Sequence, residues 1–428
     1  MNETAVEKSI LNFQNFVWFA FLLLVFSLCF VQPFVYYENL RFSPTDFIFP
    51  IASALFFISI LLKKTSFRWH NFYWLLLFYF AAMLFSSVFS INPQQSFIKL
   101  LGEIYLLGLA ILTFNLVKTQ QHFKQVVLVW LGGMFLTLII GILTVFLFYF
   151  QPSNPLLFYT TSIYGAFPVG NYPRLTSVFA SSSMFCNFLN VSLIFLFIAE
   201  KLKYIGTKIF WILFVLLAIC AFFTFSSGFG GLVLAIGVWL WAGNSDNKLI
   251  AKTALFGSIF VAILFFSINF FALQKYPNAP YSINIPLLEV ELLPSSRLLV
   301  WSDSLKTFSE NFFSGIGLGQ NACYVSFQNT DGTAAFLTDA HNIFLSVAAQ
   351  NGIFGLLAIA AISFNFVRKF SLSSLNLNSA SFTKNALTLA FICAFFYQGL
   401  TGSFEDTRHL WFLIGLILSA ETLEKTEI

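Results

Sequence analysis

His341-Asn342 is followed, after nine residues, by Gly352-Ile-Phe-Gly355. A neutral imidazole takes up a proton near pH 7 and can serve as a general base towards a hydroxyl. Upstream, Arg297 opens the segment Arg297-Leu-Leu-Val-Trp301, and Arg174 lies in Gly170-Asn-Tyr-Pro-Arg-Leu-Thr. Arginine is the side chain suited to planar, bidentate binding of phosphate. These residue types point to acid–base chemistry beside a bound anion, without a metal. No metal-ligand spacing, nucleophile elbow or phosphate-binding loop accompanies them. The run GIGLG at 315–319 opens no helix after a strand, so it reads as a tight turn rather than a nucleotide fingerprint.

Each of these residues also has a plainer reading. His341 and Asn342 stand where a helix begins, and either can cap it; the functional alternative for Asn342 is to orient a substrate. Arg297 can snorkel or pair with Glu291 or Asp303. Arg174 can anchor a helix at a membrane interface, although Pro173 and the nearby helix start also suit an anion. Lys99 and Glu103 are four residues apart and can neutralise each other; alternatively Lys99 adds positive charge to an outer cavity. Gly352 and Gly355 read as close-packing positions. The polar stretch TGSFEDTRH at 401–409 reads as a solvated connection.

The elements that must hold these residues are set by composition. Of the 428 residues, 58% are hydrophobic and only 9% charged, against about 25% charged in soluble domains. An ordinary soluble enzyme is excluded, and an all-α polytopic membrane protein is expected. Apolar runs predict about twelve transmembrane helices, near 13–36, 45–62, 71–90, 96–117, 125–150, 176–199, 207–225, 228–243, 252–274, 341–366, 385–402 and 409–421. Alternate connections, with the two ends, carry 15 of the 22 basic residues. That side is expected to be cytoplasmic, with both termini there. The opposite side holds the two longest connections, 151–175 and about 275–340. Within the second, the run SSRLLVWSDSLKTFSENFF at 295–313 reads as a short amphipathic helix, its start capped by Ser295 or Ser296, that lies on the membrane as a flap. The whole chain, 1–428, is expected to be one integral membrane domain, with 275–340 as its inserted loop. Basic residues are dispersed, so nucleic acid is not an expected partner. Five scattered cysteines predict no disulfide.

Together these features resemble the O-antigen ligase and polymerase superfamily of bacterial envelopes. The resemblance rests on Arg297 and Trp301 leading into Phe312-Phe-Ser-Gly-Ile-Gly-Leu-Gly319, on His341-Asn342 with Gly352-x-x-Gly355, and on Arg174-Leu-Thr-Ser-Val-Phe. It implies a glycosyltransferase C-type membrane fold in a bacterial inner membrane, with a periplasmic active site. It implies transfer of a glycan from a polyprenyl-diphosphate carrier to an acceptor hydroxyl, with no cofactor. On that reading His341 is the base and Arg297 stabilises the diphosphate. Arg174, Asn342, Lys99, Ser227 and Trp301 are expected to bind diphosphate or glycan. One position departs from the family pattern: Thr224-Phe-Ser-Ser-Gly228 puts Ser227 where the family carries an arginine. Arg174, Lys99 or Arg408 must then supply that charge, or the activity has shifted.

The leading expectation is ligation of a polysaccharide to a lipid A–core type acceptor. Alternatives are a polymerase that extends the glycan on the same carrier and, outside enzymes, a polysaccharide-lipid transporter or a silent lipid-binding member. The expected partners are the carrier-linked donor, a lipid or glycan acceptor, and membrane lipids.

Overall fold

The computed structural model describes residues 3–33, 35–37, 40–166, 169–242, 283–285, 290–292, 297–328, 334–375 and 381–426, with scattered helical residues between 252 and 267. The chain is mostly helical: α1 (Glu3–Ser27), α2 (Pro44–Leu61), α3 (Tyr73–Val88), α4 (Pro93–Leu116), α5 (Gln120–Phe150), α6 (Leu156–Thr160), α7 (Ser182–Lys201), α8 (Thr207–Phe223), α9 (Phe229–Ala242), α10 (Arg297–Glu310), α11 (Ile343–Lys369), α12 (Phe382–Phe391) and α13 (Arg408–Thr426). A π-helical stretch, Ile392–Tyr397, extends α12. Every expected span except 252–274, most of which lies outside the described residues, coincides with a helix. Among the described residues, five helices are long and apolar enough to cross a membrane: α2, α4, α5, α7 and α11. Large apolar side chains such as Phe57, Trp74, Leu101 and Phe222 stay exposed on the outside of the assembly, as expected of a surface that meets lipid rather than water. This is a multi-pass membrane protein.

The expectation of an all-helical chain is amended in the connections. Four two-stranded antiparallel hairpins occur there: β1 (Val35–Tyr37) with β2 (Leu40–Phe42), β3 (Thr161–Ala166) with β4 (Val169–Leu175), β5 (Ile283–Ile285) with β6 (Val290–Leu292), and β7 (Val325–Gln328) with β8 (Ala334–Leu337). Hydrophobic periodicity misses the strands of three and four residues because one or two residues per face give no pattern.

α7 is the central helix. It is apolar on nearly every side, and all residues from Phe185 to Ala199 are buried, which is the mark of a helix surrounded by others. α5, α8, α9 and α12 pack around it. Trp130 of α5 stacks on Phe412 of α13 at 5.5 Å and on Phe195 of α7 at 4.9 Å, and its indole N–H donates to Ser192 Oγ at 3.0 Å.

The glycine motifs form a single unit. α11 breaks at Gly352, whose φ is +62°. In an unbroken helix the carbonyls of Ala349 and Gln350 would accept from the amides of Ile353 and Phe354. Here the Ala349 carbonyl accepts from Ile316 N at 3.0 Å and that of Gln350 from Gly317 N at 3.0 Å, while Ile353 N donates to the Phe312 carbonyl at 2.8 Å. Gly315 and Gly317 also have positive φ, and a Cβ on Gly315 would lie 2.2 Å from the Gln350 carbonyl. The 312–319 segment therefore fits into the break and satisfies backbone groups that an apolar surrounding would otherwise leave unpaired. Gly352 is thus a break in the helix rather than a packing face. α10 packs on α11 as well, with Val300 and Ser304 buried and Leu305 exposed. The amphipathic helix expected in this connection is present and packs on α11. Ser295, Ser296 and Glu291 fall outside the residues whose side chains are described.

A Cβ at position 352 would meet the Phe313 carbonyl at 2.3 Å, and the backbone there, φ +62° and ψ −162°, is one that essentially only glycine adopts and costs any other residue about 1–3 kcal/mol. Gly352→Ala is expected to lower the thermal midpoint of the detergent-solubilised protein by several degrees. Gly102→Ala, in a helix with open space around it, should leave the midpoint within about a degree because alanine is the better helix former. Equal midpoints for the two variants would contradict this reading of the break.

Candidate active site

The connection after the π-helical stretch, together with the first turn of α13 (residues 398–411), binds several of the surrounding elements. Gln398, almost fully buried, accepts at Oε1 from Asn187 Nδ2 at 3.0 Å and Asn190 Nδ2 at 2.7 Å, and donates to the Ser183 carbonyl at 3.0 Å. The Leu400 carbonyl accepts from Asn342 Nδ2 at 3.2 Å. Thr401 Oγ1 lies 3.1 Å from Ser227 Oγ. The Ser403 hydroxyl donates to Asp339 Oδ1, and Glu405 Oε1 accepts from Ser346 Oγ. Asp406 pairs with Lys99 at 2.8 Å, and His409 Nε2 meets Asn187 Oδ1 at 2.7 Å. Trp411 Nε1 closes the segment on the Glu405 carbonyl at 2.7 Å. The expectation of a solvated connection at 401–409 is therefore corrected: most of these side chains are committed to partners on other helices.

His341 stands just before α11 with φ +48°. Its N–H donates to Asp339 Oδ1 at 2.9 Å, and its Nδ1 lies 3.5 Å from Asp339 Oδ2, with the imidazole 43% exposed. The ring is anchored on one edge and open on the other. Asn342 caps α11: its Oδ1 accepts from Phe344 N at 3.0 Å and Leu345 N at 3.1 Å. With its amide given to Leu400, both ends of this side chain serve the protein's own backbone. That matches the capping reading of Asn342.

Arg174 lies on β4, opposite Ser162 of β3. Its Nε donates to the Thr224 carbonyl at 3.2 Å. Thr224 ends α8, and the following turn, with Phe225 at φ +44°, presents Ser227 exposed. Arg297 opens α10, half-buried, with the half-buried Trp301 one turn on. Burial pushes the Arg297 guanidinium down to about 10, and the positive charge of Arg174 pushes in the same direction. The two arginines thus lie close enough for each to feel the other's charge. That arrangement favours an anion between or beside them.

The cations proposed to stand in for an arginine at position 227 separate cleanly. Lys99 is held by Asp406 at 2.8 Å and by Glu103 at 3.5 Å, and the Lys99 ammonium in turn holds the Asp406 carboxyl below the usual carboxylate range. Arg408 is held by both carboxylate oxygens of Asp46, at 2.6 and 2.8 Å. Arg174 binds a neutral carbonyl on the same turn as Ser227. Of the three, it is the one that contacts the chain next to that position.

Residues 212–360 match the family model described as O-antigen ligase. This stretch is similar to the O-antigen ligase family. No curated protein matches the chain. The matched region covers roughly a third of the chain and takes in α9, Arg297, Trp301, the glycine segment, His341 and the Gly352 break. Arg174 precedes it and the 398–411 connection follows it. The O-antigen ligase match supports glycan transfer of the ligase or polymerase type by a membrane enzyme acting on lipid-linked glycan and acceptor substrates in general terms.

Several residues of the polar end carried a signal that the sequence reading passed over. Asn187 and Asn190 lie three apart in an apolar run, and Gln398 lies in another. Polar side chains in such runs are costly and usually paired or functional. What their sequence positions do not reveal is that all three meet.

Glu405 is the second titratable feature. One of its oxygens is held by Ser346. The other, Oε2, is buried and has no partner among the described residues. Burial pushes its carboxyl up to about 8, with the negative charge of Asp406 adding to the effect. An unfolded glutamate loses its proton near about pH 4.3. Between that value and about 8 the folded chain holds a proton that the unfolded chain has released, so this group's contribution to stability falls as pH rises. Glu405→Gln cannot ionise. The thermal midpoint of the wild type is therefore expected to fall relative to that of the variant as pH rises from about 5 to 9; a difference independent of pH would contradict it.

Proposed function

We propose that the protein transfers a glycan from a polyprenyl-diphosphate carrier to an acceptor hydroxyl, at the periplasmic face of a bacterial inner membrane, on a glycosyltransferase C-type fold. Ligation to a lipid A–core type acceptor is the form we favour. The observation that carries this reading is the segment Leu400–Ser403. Thr401 reaches the turn that holds Ser227 and Arg174, and Ser403 reaches Asp339 beside His341. Two residues of extended chain span about 7 Å, so one short segment links the arginine side to the histidine side, which supports reading them as parts of one site.

In this scheme Arg297 and Arg174 bind the diphosphate and stabilise the negative charge that grows on it as the glycosidic bond breaks. His341 accepts the proton of the attacking hydroxyl. Trp301 and Ser227 line the glycan side. Lys99 and Asn342, first expected to bind substrate, act instead by fixing the frame: Lys99 ties α4 to the 398–411 connection, and Asn342 caps the helix that carries His341. The donor is already activated, so the step needs no nucleotide.

With purified protein, an undecaprenyl-diphosphate-linked oligosaccharide and rough lipopolysaccharide as acceptor, Arg297→Ala and Arg174→Ala should each lower transfer by about 100-fold. Arg297→Lys, which keeps the charge but loses the planar fork, should fall between Arg297→Ala and the wild type. Wild-type transfer by Arg297→Ala would remove the diphosphate role.

A further inference from the structure

We infer that Asp339 is a positioning residue for His341. It fixes the ring so that Nδ1 carries the proton and faces the carboxylate, leaving Nε2 as the atom that takes the acceptor proton. This inference rests on the proposed function, since it deepens the role given there to His341. The plainer reading is that Asp339 merely closes a tight turn before α11 by accepting the His341 N–H.

Three observations go beyond that. First, the two carboxylate oxygens are divided. Oδ1 accepts from the His341 N–H at 2.9 Å and from the Ser403 hydroxyl, while Oδ2 stands 3.5 Å from Nδ1 of the ring. A turn alone would use one oxygen. Second, Ser403 belongs to another part of the chain, so the carboxylate is held from two sides. Its orientation towards the imidazole does not depend on the turn alone. Third, His341 keeps a left-handed backbone, φ +48°, which is costly for a residue with a Cβ. Strain of this kind persists where the surroundings fix it, and such places are often functional. The Nδ1 contact is longer than a good hydrogen bond, as is common in sites without substrate, where such contacts tighten on binding.

The step that this arrangement serves balances as follows. The acceptor oxygen forms a bond to the anomeric carbon, and its proton moves to Nε2. The anomeric carbon–oxygen bond to the diphosphate breaks, and its electron pair leaves on the polyprenyl diphosphate. The imidazolium so formed has its Nδ1–H directed at Asp339, which stabilises the positive charge, and the Nε2 proton is then released to water.

The test uses purified full-length protein with the same undecaprenyl-diphosphate-linked oligosaccharide and rough lipopolysaccharide, following release of undecaprenyl diphosphate. Asp339→Asn is expected to lower kcat by about 100-fold while the donor KM and the thermal midpoint stay near wild type. A residue that only closes a turn would lower the midpoint or move KM with kcat, and that result would overturn the inference, as would an unchanged kcat. In the Asp339→Asn/His341→Ala double variant the loss should be no larger than that of His341→Ala alone, because Asp339 acts through His341. Multiplied losses would also overturn it. Where His341→Ala falls below detection, the split between kcat and KM in the single variant decides. If His341→Ala keeps wild-type turnover, the proposed function itself fails; if only Asp339→Asn does, the base assignment stands and the positioning role falls.

Discussion

Within an apolar helical assembly polar backbone and side-chain groups are costly without a partner, and in this protein much of that pairing is made at two linked places. At Gly352 the helix carrying His341 opens, and the 312–319 segment takes over its backbone hydrogen bonds. At 398–411 the chain binds, in turn, α7, α11, α4 and α2 through side chains that have few other ways to be satisfied. Ser346 and Gln350 connect the two places. Ser346 donates to Glu405, and Gln350 reaches both Ser346 Oγ at 3.1 Å and the Gly319 amide at 2.8 Å. The geometry around His341 follows from this coupling, because the capped start of α11 is fixed below by the break and above by the connection.

The same pairing rule decides which cations are committed to structure. Lys99 and Arg408 each sit against carboxylates, so their charge locks helices together rather than waiting for a ligand. Arg174 and Arg297 lie within reach of each other's charge, and Arg174 also gives its Nε–H to the Thr224 carbonyl, next to the turn that bears Ser227. Ser227 stands where the family resemblance implies an arginine, and under the proposed function Arg174 supplies that charge.

Much of this was legible in the sequence, for identifiable reasons. The helices follow from long apolar runs. Arg297, the GIGLG segment and His341-Asn342 follow from residue types whose spacing survives as a linear motif. The unit they form, with glycines at positive φ exchanging backbone bonds across a helix break, does not, because a glycine used for close packing and one used to break a helix look alike in a sequence. The connection at 401–409 was misread for a related reason. Glu405, Asp406, Arg408 and His409 are close together in the chain and look like a hydrated charge cluster, yet their partners, Ser346, Lys99, Asp46 and Asn187, are scattered through all three thirds of the sequence. The short hairpins were invisible because their strands are too brief to show alternation.

The central claim is that the chain moves a glycan off a polyprenyl-diphosphate carrier. It is tested most directly by deleting the gene and measuring both the carrier-linked glycan pool and the lipopolysaccharide ladder, with a strain complemented by the intact gene beside it. The account expects long glycan stranded on the carrier and bare core lipopolysaccharide, both restored by the intact gene but not by one encoding His341→Ala. Core bearing a single repeat would shift the assignment from ligase to polymerase. An unchanged pool together with an unchanged ladder would contradict the account.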